Sequence, residues 1–79
     1  MVSYTRHLFE IMKKAGADPR NFENRKLLDR AVREVLGMER ADAEDVWKVV
    51  KPILLGDPAK RREFEDRVAK LLVKFLITG

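Results

Sequence analysis

Two groups of side chains in this sequence are equipped to do chemistry, and in both the chemistry is binding. The first group is cationic. Lys26, Arg30 and Arg33 recur at i, i+4 and i+7, which places them along one side of a helix, opposite Leu28, Val32 and Val35. Lys60, Arg61 and Arg62 stand in a row, and Arg67, Lys70 and Lys74 continue the same segment. Such rows can grip phosphates through a salt-dependent, sequence-independent attraction. The competing reading is a solvated face, since Asp29 to Arg33, Arg30 to Glu34, Glu63 to Arg67 and Asp66 to Lys70 supply partners at i, i+4. Lys60, Arg61 and Arg62 differ from the rest because cations in a first helical turn oppose the helix dipole and favour a nearby anion. Asp57 and Glu63 are in reach of that role.

The second group is apolar. Val73 and Ile77 project from the last segment on the side opposite Phe64 and Phe75, and Trp47 lies at the edge of the apolar stripe of the third. An edge position suits either the margin of the core or the middle of a partner interface, where tryptophan is enriched. The third segment is apolar over nearly half its circumference, from Val49 round to Trp47, which is wider than one neighbour needs. Either a second copy of the chain buries this surplus, or the last helix is central and the other three cover it.

Bond-making chemistry has few parts to work with. The chain has no cysteine and a single histidine, His7, which removes thiol nucleophiles, cysteine zinc sites and histidine clusters. Asp42, Glu44 and Asp45 are the densest acidic cluster, and no further ligands follow at calcium-loop spacing. There is no glycine-rich phosphate loop, Gly-x-Ser-x-Gly turn or HExxH sequence. No catalytic, cofactor-binding or metal-ligating residue is therefore assigned, and the chain is read as a non-enzyme.

The positioning elements follow from apolar spacing. Ser3 can cap a first helix over about 3–15, with Tyr4, Leu8, Ile11, Met12 and Ala15 stacked on one face before Gly16. Asp18-Pro19 is a cap followed by proline at a first helical position, so a second helix is expected over about 19–36, ending at Gly37. A third, over about 42–55, starts at Asp42 and should kink or break near Pro52, because an interior proline removes a backbone bond and clashes with the preceding turn. Asp57-Pro58 repeats the start signal for the longest helix, about 58–77, with Phe64, Val68, Leu71, Leu72, Phe75 and Leu76 on one side. No segment reads as a strand, and short connections imply an all-α, single-domain array of four compactly packed helices.

Composition agrees with one small domain. The 79 residues carry 17 Lys plus Arg against 13 Asp plus Glu, a formal charge of +4. A chain this short buries only about 60% of the surface its unfolded form exposes, which leaves little room for a cleft. No run approaches a membrane span, and Met1 to Tyr4 leads straight into a charged amphipathic stretch, so a cytoplasmic protein without membrane contact is expected. The 38% of charged residues and the absence of glutamine suit a heat-adapted protein. Leu36-Gly37-Met38 followed by Ala43, Val46 and Trp47 resembles the turn and second helix of a helix-turn-helix, but Asp42, Glu44 and Asp45 would set three carboxylates against the phosphates. The expected function is a small helical adaptor that acts through protein–protein contacts, as a homodimer, around Trp47, Val73 and Ile77. The alternative is a basic accessory protein that binds nucleic acid through Lys26, Arg30, Arg33, Lys60, Arg61 and Arg62.

Overall fold

In the computed structural model, which describes residues 3–78 with side chains from Tyr4 onward, every regular element is helical. An N-terminal 3-10 helix, Ser3–Leu8, leads into α1, Phe9–Lys14, followed by α2, Phe22–Leu36, α3, Ala43–Leu55, and α4, Pro58–Thr78. The result is the expected compact all-α four-helix arrangement. α4 packs against α1, α2 and α3, and the 3-10 helix touches α1, α2 and α3. One core unites Leu8, Ile11 and Met12 with Leu28, Ala31 and Val32, Val46 and Val50, and Val68 and Leu72. Each of these positions lies on the apolar stripe of its own segment, which is why burying the stripes together specifies the packing. No helix among the described residues is long and apolar enough to cross a membrane.

The glycine stops operate as their positions require. Gly16 and Gly37 both adopt positive φ, and each closes its helix with a paired bond pattern. Ala17 N donates to Met12 O at 2.9 Å and Gly16 N to Lys13 O at 3.1 Å, while Met38 N donates to Arg33 O at 2.8 Å and Gly37 N to Glu34 O at 3.2 Å. Asp57 accepts from Ala59 N at 2.9 Å, so the second Asp-Pro pair does open α4 at Pro58.

Three boundaries differ from the sequence reading. The first helix is divided, with Ser3–Leu8 wound as a 3-10 helix and only Phe9–Lys14 as α-helix. At three residues per turn Tyr4 and Leu8 lie about 120° apart around the axis, and both are buried, 5% and 1% exposed, because α1, α2 and α3 all touch this segment. The cap expected at Ser3 rests on a side chain outside the described residues. The second helix starts at Phe22 and not at Pro19. Asp18 accepts from Arg20 N at 2.9 Å and closes a single turn, then Asn21 takes extended backbone and caps α2 by accepting from Asn24 N at 3.1 Å. Two caps three residues apart compete, and the later one carries the helix. Finally, of the kink or break expected near Pro52, the break does not occur: α3 runs as one helix through Pro52 to Leu55. Pro52 is solvent-exposed, as is Lys48, whose carbonyl loses its helical partner, so water can take that bond.

Candidate interaction surface

The 3-10 helix lies over the start of α3 and sets the surroundings of Trp47. The His7 imidazole stacks on the indole at 4.7 Å between ring centres, with 17° between planes, and the Tyr4 ring lies 6.5 Å away at 22°. Trp47 is half-buried against the core, so the structure places it at the core margin. A groove lined by Tyr4, Arg6, His7, Ala43, Glu44 and Trp47 runs beside it. Neither Val73 nor Ile77 borders that groove.

Beneath the aromatic pair is a polar network that joins three parts of the chain. The Tyr4 hydroxyl donates to Asp29 Oδ1 on α2. Arg33 Nε, one turn further along α2, donates to both Asp29 oxygens at 3.0 Å, and the same guanidinium donates to the Ala41 carbonyl in the loop before α3. The Asp29 and Arg33 side chains are only 18% and 17% exposed. Burial pushes the Tyr4 hydroxyl far above its ordinary value of 10.0, and the hydrogen bond to Asp29 and the negative charge of Asp29 push the same way, with Arg33 offsetting part of it. Tyr4 therefore keeps its proton as a donor. The i, i+4 spacing of Asp29 and Arg33 was readable in the sequence; Tyr4 read only as an apolar residue, since Asp29 lies 25 residues away and only tertiary packing brings the two together.

The basic residues are unequally engaged. Arg33 faces inward in the network just described. Arg30 sits 4.2 Å above the Phe75 ring and 3.8 Å from Glu34, and Lys26 lies 3.8 Å from Glu23 and 5.5 Å from the Phe22 ring. Lys26, Arg30 and Arg33 are thus bound into three separate local contacts. Arg61 reaches Glu65 at 3.4 Å and donates to the Leu54 carbonyl at 3.3 Å, tying the end of α3 to the start of α4. Lys60 and Arg62, both exposed, make no ion pair among the described residues.

The outer face of α4 is what three helices leave uncovered. Although α1, α2 and α3 all touch α4, Val73 is 36% and Ile77 79% exposed. Of the two alternatives for the apolar surplus, α4 is central in the packing and still presents these side chains to solvent. Two shallow grooves run along this face, one between Ala59 and Lys70 and the other between Lys14 and Val73, and both are lined by Asp66 and Lys70. Lys14 of α1 lies 3.5 Å from Asp66 and 3.9 Å from Glu65, which fixes α1 against one side of the face. Leu55, at the end of α3, is 76% exposed as well. No group of three or more histidine or acidic side chains that could hold a metal ion occurs among the described residues.

No protein-family model matches the chain, nor does any curated protein or solved structure.

Proposed function

We propose that this chain is a small helical interaction module that works by contact and not by catalysis, and that it pairs with a second copy of itself through the outer face of α4. The observation that carries this reading is the exposure of Val73 and Ile77 on a helix that three neighbours already flank. Apolar side chains spaced i, i+4 on a rigid helix offer an ordered docking stripe at little entropic cost. The polar network of Tyr4, Asp29 and Arg33 has a structural role in this reading, because its donors and acceptors are turned toward one another and toward the Ala41 carbonyl. A cytoplasmic location is part of the proposal. The test is an NMR dilution series that follows every amide: shifts concentrated in α4 and growing with concentration support it, and concentration-independent spectra refute it.

The second reading is nucleic-acid binding, favoured by Lys60 and Arg62 at the start of α4, which make no ion pair among the described residues. It expects a logarithmic loss of affinity with salt of about −0.9 per duplex phosphate neutralised. Duplex DNA added to the same labelled sample decides between the two: movement near Lys60 and Arg62 that persists at physiological salt favours phosphate contacts.

A further inference from the structure

We infer that the two copies pair through α4 in antiparallel orientation, with Asp66 and Lys70 of each copy facing Lys70 and Asp66 of the other across the two-fold axis. The inference rests on the self-association reading and adds its geometry. Ala59, Glu63, Asp66, Lys70, Val73 and Ile77 follow one another at spacings of four and three, and all six are solvent-exposed. That is a continuous seam along one side of the helix. It spans about 27 Å at 1.5 Å per residue, close to the 30 Å longest dimension of the molecule.

Charge along the seam chooses the orientation. Its acids, Glu63 and Asp66, lie in the N-terminal half, and Lys70, with Lys74 beside it, lies in the C-terminal half. A parallel pair would set Asp66 against Asp66 and Lys70 against Lys70, which repel. An antiparallel pair centred between residues 66 and 70 sets Asp66 against Lys70 twice. The same register places Ala59 over Ile77 and Glu63 beside Val73 and Lys74, so the small residue at one end meets the largest exposed apolar residue at the other. Asp66 is 59% exposed despite Lys14 at 3.5 Å, so it has room for a second cation. Arg62 and Lys74 approach at the rim, where water and salt screen them.

The absence of cysteine makes the geometry directly measurable. Ala59→Cys and Ile77→Cys are prepared separately, one of them isotope-labelled, mixed under a glutathione redox buffer and analysed by intact mass. The expected product is the mixed disulfide, with neither variant cross-linking to itself, because identical positions stand about 27 Å apart in the antiparallel pair. A charge exchange provides the second arm. Asp66→Lys alone should weaken association roughly two- to tenfold, and Asp66→Lys with Lys70→Asp should restore it. Self-disulfides of Ile77→Cys would overturn the antiparallel orientation. A dimer by sedimentation that gives no disulfide would overturn the α4 seam while leaving self-association intact. A monomer overturns both, and a monomer whose α4 amides move only with duplex DNA at physiological salt does so in favour of phosphate contacts.

Discussion

At the scale of single residues, the contact between Tyr4 and Asp29 carries a specific energetic consequence. Replacing the hydroxyl by hydrogen in Tyr4→Phe should cost about 1.5–3 kcal/mol, the range for a bond to a charged acceptor, with folding otherwise cooperative in denaturant. The pH dependence follows from the direction of the shift. The folded state holds the Tyr4 proton more tightly than the unfolded chain, so the stability this supplies is complete below the ordinary tyrosine value of 10.0 and is lost as pH rises beyond it. Thermal unfolding of the native chain should therefore decline more steeply above that pH than unfolding of Tyr4→Phe. Arg33 gives a sharper contrast. Arg33→Ala leaves the Ala41 carbonyl without its guanidinium donor and a largely covered Asp29 with the Tyr4 hydroxyl but no compensating cation, and should cost about 2–3 kcal/mol, whereas Lys60→Ala, on an exposed and unpaired side chain, should fall within about 0.5 kcal/mol of the native chain. The row of Lys26, Arg30 and Arg33 was legible as a helical face because spacing fixes angle. Its division into one inward and two surface residues was not, since that depends on Tyr4 and Ala41 arriving from distant parts of the chain.

At the scale of elements, competing caps explain where α2 begins. Asn21→Ala should destabilise the fold by about 1 kcal/mol through loss of the bond from Asn24 N. Asp42→Ala should cost less, because Asp42 holds the cap position of α3 without a side-chain cap bond. Both are measured by urea unfolding followed through the Trp47 fluorescence. Gly37→Ala isolates backbone strain from crowding. A Cβ at that position would meet nothing within 4 Å, so its expected cost of about 1 kcal/mol comes from positive φ alone. Apolar stripes and glycine stops were readable because they are local. The 3-10 winding of Ser3–Leu8 and the passage of α3 through Pro52 were not. The first is set by docking of Tyr4 and Leu8 into a core built by other helices, and the second by solvent standing in for one lost bond.

At the scale of the whole molecule, the apolar surplus in the sequence signalled uncovered surface, and the packing shows which part is left. Trp47, equally eligible by its edge position, is overlaid by His7 and half-buried, while Val49 and Leu55 on α3 and Val73 and Ile77 on the outer face of α4 stay exposed, and only on α4 do two of them follow one another at i, i+4. A small chain with a limited core gains stability when such a face is paired. The most direct measurement is sedimentation equilibrium of the native chain and of Val73→Ser/Ile77→Ser, from low to high micromolar concentration at physiological salt, with circular dichroism of both. Self-association through α4 predicts twice the 9.2 kDa chain mass for the native protein, and the single-chain mass with unchanged helicity for the double variant. A native chain that stays at 9.2 kDa throughout, or a double variant that dimerises equally well, would contradict it.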